Sequence, residues 1–179
     1  MNRVGTVYGQ GLYALAKEEN LEDGILQELS LLKVAFEEQP DFLKLLSSAN
    51  LSKQERLGIL EESFRGKVQQ YVLNFLMLLT EKGYIAQFGA CYQTYRQQYN
   101  EDKGILQVRA VSAVAMTEDQ IQRLTAKLTE ITGKTIDLIC KEDPAVLGGV
   151  RLSYDGIEVD GTVQNRLQAM EKRLKNTVL

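Results

Sequence analysis

The sequence predicts an α+β chain: an N-terminal six-helix bundle over residues 1–104, followed by a small C-terminal mixed α/β domain over residues 105–179. Three observations predict it. Apolar residues recur at helical spacing through the first hundred positions. At Ile105 the spacing changes to strict alternation in ILQVRAVSAVA, residues 105–115. A helix-period segment and a second alternating run, TIDLIC at 135–140, then give the order strand, helix, strand.

The first helix is expected from about Asn2 to Glu19, with Val4, Val7, Tyr8, Leu12, Leu15 and Ala16 on one stripe. Gly5, Gly9 and Gly11 interrupt it, each at a cost of about 1 kcal/mol against alanine. Two readings stand for them: a poorly optimised helix, or one whose small residues admit a partner backbone. The second helix runs from about Leu21 to Glu37 and spaces Ile25, Leu29, Leu32 and Phe36 for burial. Pro40 suits the first turn of a third, short helix carrying Phe42, Leu43, Leu45 and Leu46. Ser52, with Glu55 three residues on, forms a capping-box pattern ahead of a fourth helix with Leu57, Ile59 and Leu60. The fifth, VQQYVLNFLMLLTEKG at 68–83, is apolar nearly all round, which suits a helix central to its bundle or covered by a partner. Gly83 closes it. The sixth, from about Tyr84 to Asn100, carries a stripe of Phe88, Cys91, Tyr92, Tyr95 and Tyr99, read as packing. In the second part, Thr117 and Gln120 open a helix through Ile121, Leu124, Leu128 and Ile131 that ends at Gly133.

Composition narrows the function. Apolar residues make up 44% of the 179, so a core can form. The net charge of −3 is spread evenly, with 10 Lys/Arg against 12 Asp/Glu in residues 1–100 and 11 against 12 afterwards. Neither half is basic, which argues against nucleic acid as a partner. No apolar run approaches the eighteen or so residues of a membrane span, and the start, MNRVGTVYGQG, lacks the apolar core of a signal peptide. Histidine is absent, which removes the usual general base and the usual zinc ligand. Cys91 and Cys140 are far apart and read as buried free thiols in a reducing compartment.

LGGVRLSYDGIEVDGTVQNRL, residues 147–167, concentrates glycine and aspartate. A phosphate loop would need its glycines to lead into a helix and a lysine to follow them. Here Gly148-Gly149 leads into VRLSY, which alternates like a strand. Asp155-Gly156 fits a two-residue hairpin turn. Asp160 stands where it would cap a last helix bearing Val163, Leu167, Met170 and Leu174. Asp143, Asp155 and Asp160 match no calcium-loop spacing. The stretch reads as fold-making, with no convergent catalytic set, no metal site and no cofactor site.

The ordered set Asp143-Pro144, Leu147-Gly148-Gly149, Val150–Tyr154, Asp160-Gly161-Thr162 and Arg166-Leu167 resembles the C-terminal signature of the delta subunit of bacterial F-type ATP synthase, the counterpart of the mitochondrial oligomycin-sensitivity-conferring protein. Tyr8 and Ala16, Asn74 with Leu78, and Glu81-Lys82-Gly83 extend the likeness over nearly the whole chain. The chain departs from that family at Tyr8-Gly9-Gln10-Gly11-Leu12, where the family often has Tyr-Ala-x-Ala-Leu/Phe, at Tyr84 in place of a frequent arginine, and at Thr162 in place of a commoner serine.

The resemblance implies a peripheral-stalk subunit without catalysis or cofactor, tying the catalytic head to the membrane-anchored stalk on the cytoplasmic face of the bacterial cell membrane. It touches the membrane only through the complex. The resemblance further implies that N-terminal helices of the alpha subunits lie in a groove between the first and fifth helices, at Tyr8, Gly11, Leu12, Tyr13, Asn74 and Leu78. The C-terminal domain would meet the b subunits, and Gly148, Gly149, Asp160, Thr162 and Arg166 would be its structural signature. An enzyme, a generic helical adaptor with a small α/β domain, and an RNA-binding module are the rival readings.

Overall fold

The computed structural model describes residues 3–48, 50–146, 148–154 and 156–161. The chain is α+β, with seven α-helices and a four-stranded mixed sheet among the described residues. It divides into two compact units, Met1–Tyr99 and Asn100–Leu179.

In the first unit, α1 (Arg3–Glu18), α2 (Glu22–Glu38), α3 (Pro40–Leu46), α4 (Lys53–Phe64) and α5 (Gln70–Glu81) are followed by a 3₁₀ turn at Ile85–Gln87 and by α6 (Phe88–Lys103), whose end passes the unit boundary after Tyr99. The core draws Ile25, Leu29, Leu32 and Phe36 from α2, the stripe read from the sequence, together with Leu46, Leu60, Leu73, Leu76, Leu79, Phe88 and Tyr95. Ser52 caps α4 through the reciprocal bonds of a capping box: its hydroxyl accepts from the Glu55 amide, and the Glu55 carboxylate accepts from the Ser52 amide. The start of α5 is held differently, since its N-cap residue Gln69 donates its amide to the Glu28 carboxylate of α2 at 2.9 Å. The tyrosine stripe of α6 is packing: Tyr92 and Tyr95 are buried, and the Tyr95 hydroxyl donates to the Glu22 carbonyl at 3.0 Å. Burial pushes the Tyr95 phenol well above its ordinary range and the Cys91 thiol up to about 11. Cys140, expected buried, is exposed on a strand at the sheet edge of the second unit.

The face of α1 is the main departure. Its buried positions are Gly5, Gly9, Leu12, Tyr13 and Ala16, whereas Val7 and Leu15 of the expected stripe are exposed. The cause is α6. A Cβ on Gly5 would stand 2.7 Å from the Ala90 Cβ, and one on Gly9 would stand 2.6 Å from the Cys91 carbonyl oxygen. Two of the three glycines therefore admit a neighbouring helix of the same chain, and the close approach turns the large apolar residues of α1 away from that contact.

The second unit carries β1 (Ile105–Ser112), α7 (Glu118–Thr132), β2 (Thr135–Glu142), β3 (Val150–Tyr154) and β4 (Ile157–Asp160), in the sheet order β2-β1-β3-β4. β1 and β2 are parallel across α7, and the other neighbours are antiparallel. Leu106, Val108 and Ala110 of β1 are buried, as alternation requires, and Leu124 and Leu128 of α7 pack with Leu106 and Val108. Thr117 and Gln120 form a second capping box, and Gly133 closes the helix. Gly148 and Gly149 take φ of 111° and 83°, conformations that a side chain resists, and so turn the chain into β3. Tyr154 pairs with Ile157, so the β3–β4 connection is the two-residue hairpin, with Gly156 at φ 77°; Asp155 itself lies outside the described residues. Asp143 accepts the Ala145 amide at 2.9 Å, which gives it a turn role. Asp160 closes β4 with its carboxylate 3.7 Å from the Arg151 guanidinium. The helix it is expected to cap, with Thr162 and Arg166, lies outside the described residues, as does Leu147.

Candidate functional site: a groove between α1 and α5

Helices α1 and α5 run antiparallel. Tyr71, in the first turn of α5, interacts with Glu19 just beyond the end of α1, and Tyr8 meets Tyr84, just beyond α5, edge-on with ring centroids 5.9 Å apart. Between the two helices lies a groove of about 410 Å³, lined by Val7, Tyr8, Gly11, Leu12 and Leu15 on one wall and Tyr71, Asn74, Phe75 and Leu78 on the other.

Each wall follows from how its helix is packed. α1 presses Gly5 and Gly9 onto α6, so the positions rotated away from that contact, Val7, Gly11 and Leu15, are left outside at intervals of four residues. α5 buries Val72, Leu73, Phe75, Leu76, Leu79 and Thr80 and leaves Asn74 and Leu78 exposed, one turn apart. The fifth helix is thus central on most of its circumference and open along one line. Val7 is 60% exposed, Leu78 39% and Leu15 37%. Three exposed large apolar side chains are thus gathered around one concavity.

Polar groups in the lining are few. Asn74 accepts the Gln70 side-chain amide at 2.8 Å. The Glu19 carboxylate beside Tyr71 pushes its phenol above the usual range by its charge, with burial and a hydrogen bond to Glu19 adding to the shift. These groups can orient an occupant, but they do not assemble a nucleophile, a base and an orienter. Among the described residues no cluster of His, Cys, Asp and Glu could hold a metal ion, and no helix is long and apolar enough to cross a membrane.

Five of the six groove residues that the family resemblance implies, Tyr8, Gly11, Leu12, Asn74 and Leu78, line this concavity together. Tyr13 does not. It is buried on the opposite side of α1, edge-on to Tyr95 with centroids 5.2 Å apart. The 100° step per residue on a helix separates it from Leu12, and the close α1–α6 approach draws it inward. Leu12, 5% exposed, belongs to the floor and equally to the core. Sequence reasoning missed Val7, Leu15, Tyr71 and Phe75 as lining. The i, i+4, i+8 spacing of Val7, Gly11 and Leu15, and the i, i+3, i+4, i+7 spacing of Tyr71, Asn74, Phe75 and Leu78, was the available signal, but an apolar residue at helical spacing reads first as core.

The chain matches the family described as ATP synthase delta (OSCP) subunit over residues 4–174. It is 30% identical over 172 residues to the ATP synthase subunit delta of Alkaliphilus oremlandii, covering 96% of each chain. To that of Clostridioides difficile it is 29% identical over 179 residues, covering 99% of each. Its fold is similar to that of a chain in the Toxoplasma gondii mitochondrial ATP synthase hexamer, with a TM-score of 0.78, 18% identity and coverage of 97% of this chain and 98% of that one. The chain belongs to the ATP synthase delta (OSCP) subunit family and is a non-catalytic, peripheral-stalk subunit of the F-type ATP synthase.

Proposed function

We propose that the six helices of residues 1–104 work as one bundle that grips the catalytic head, and that the groove between α1 and α5 is the grip. Its occupant is an amphipathic N-terminal helix of an alpha subunit, laid in by its apolar face. Residues 105–179 meet the b subunits, and the assembly sits on the cytoplasmic face of the bacterial cell membrane. The observation that carries this reading is the groove itself: a concavity of about 410 Å³ whose walls are mostly apolar and include the exposed large apolar side chains Val7, Leu15 and Leu78. Tyr8, Gly11, Leu12, Asn74 and Leu78, with Val7, Leu15, Tyr71 and Phe75, make the contacts. Tyr13 holds α1 from behind.

A stator must stay attached while the rotor turns. A nanomolar interface supplies about −12 kcal/mol, and attachment through a second domain raises the effective hold beyond either contact alone. A short groove suffices if a few apolar anchors are fully desolvated in it.

The reading is tested by titrating the full chain with a synthetic peptide from the N-terminus of the host's alpha subunit. Leu78→Asp and Val7→Asp are the informative variants, because both side chains are exposed in the free chain and their loss spares the core. Each is expected to weaken binding about tenfold or more, the effect of removing an interface anchor, with an unchanged circular dichroism spectrum. Wild-type affinity in both folded variants would place the binding site elsewhere. Leu12 is unsuited to this test, because a charge there would strike the core.

A further inference from the structure

The three glycines of α1 are not equivalent. Gly5 and Gly9 have an internal reason to lack a side chain, since α6 occupies the space: Ala90 lies 2.7 Å from a Cβ on Gly5, and Thr94 and the Cys91 carbonyl lie within 2.8 Å of one on Gly9. Gly11 has none. A Cβ there would meet no atom within 4 Å, and its φ is not in the positive range that favours glycine. It lies inside a sixteen-residue helix, where glycine is less favourable than alanine. Gly58 and Gly89 also face open space; Gly11 faces the groove, between Tyr8, Leu12 and Leu15 and opposite Asn74 and Leu78.

We propose that Gly11 is a hole in the groove that receives one large apolar side chain of the docked helix, so that this position decides which partner helices fit. The inference rests on the groove being the binding site and adds how it selects. A knob of leucine, methionine or phenylalanine size seated over Gly11 would touch the α1 backbone directly. Its neighbours along the wall, Val7 and Leu15, would close over it from one turn on either side. A side chain at position 11 would enter the same space, and its Cβ would meet nothing within 4 Å in the free chain.

The test uses the full chain, the synthetic alpha-subunit N-terminal peptide, and that peptide with each large apolar residue changed in turn to alanine. Gly11→Ala and Gly11→Leu are expected to fold normally, with unchanged or higher thermal midpoints. Gly11→Leu should weaken the unmodified peptide about tenfold or more, the scale of a misfit of a few carbons in an apolar pocket, and Gly11→Ala should weaken it less. One alanine-substituted peptide, the one lacking the knob, should bind wild type and Gly11→Leu with nearly equal affinity, which identifies the side chain seated there. If Gly11→Leu is folded and binds the unmodified peptide as wild type does, the hole is not used and the proposal falls, while the groove reading stands. If wild type itself binds no peptide while correctly folded, both fall together.

Discussion

Phe36→Ala is expected to lower the stability of the helical unit by about 3–5 kcal/mol, the usual cost of emptying an aromatic site in a packed core. Phe36 of α2 is buried and stands at the centre of a ring cluster, with its centroid 5.0 Å from Phe88 of α6, 6.1 Å from Phe42 of α3 and 6.2 Å from Phe64 of α4. Phe42 and Phe64 also meet, at 6.0 Å. Four helices therefore share one contact, and the rings around it cannot all move inward at once to fill the gap. Aromatic pairs add about 0.5–1.5 kcal/mol beyond the area they bury, which puts this site toward the upper part of the range. Against a typical domain stability of about 5–15 kcal/mol, that is a large fraction. The measurement is urea unfolding followed by helical circular dichroism. The expected outcome is a midpoint displaced to markedly lower urea with little change in slope.

Gly9→Ala is expected to destabilise by about 1–3 kcal/mol or somewhat more, because it overpacks a helix contact that has no flexible atoms to yield. The added carbon would stand 2.6 Å from the Cys91 carbonyl oxygen and 2.8 Å from the Thr94 Cβ. Both belong to or adjoin the α6 backbone, so α1 and α6 must separate. Alanine is the better helix former by about 1 kcal/mol, so any fall in stability here is a net loss after that gain. Gly11→Ala in the same helix is the internal control: it takes the propensity gain without the collision. The two substitutions, two residues apart, should shift the thermal midpoint in opposite directions.

The same pair shows where the sequence was legible and where it was not. α2 was legible because Ile25, Leu29, Leu32 and Phe36 are large, and large residues at helical spacing mark the buried face directly. The two capping boxes and the alternation of β1 were legible because their signals are local: a side chain bonds a backbone three residues away, or successive side chains point to opposite faces. The face of α1 was not, because glycines carry its tightest contact. A glycine buries almost no side-chain area, so a pattern drawn from apolar residues selects Val7 and Leu15, which the α6 contact turns outward. Tyr13, which the family resemblance nominates for the groove, lies on the buried side of α1. Cys140, read with Cys91 as a buried free thiol, is exposed because it lies in β2, at one end of the strand order.

The site was legible in part. A fifth helix apolar nearly all round already required either a central place or a partner, and α5 has the first along most of its surface and an open line at Asn74 and Leu78. The groove needs two helices from distant parts of the sequence to lie side by side, and no local pattern specifies that pairing. Function was decided by the family match over residues 4–174, which sets aside the enzyme, generic adaptor and RNA-binding readings that the composition alone left open.

The central claim is that the α1–α5 groove receives the head, and amide chemical-shift mapping tests it most directly. On titrating the isotope-labelled full chain with the alpha-subunit N-terminal peptide, the largest shifts should fall on Val7, Tyr8, Gly11, Leu15, Tyr71, Asn74 and Leu78. Outside the groove, the large apolar side chains exposed among the described residues of the helical unit are Leu31 and Val34 of α2, 67% and 50% exposed, and Leu45 of α3, 42% exposed. Shifts concentrated there, with the groove residues unmoved, would contradict the account.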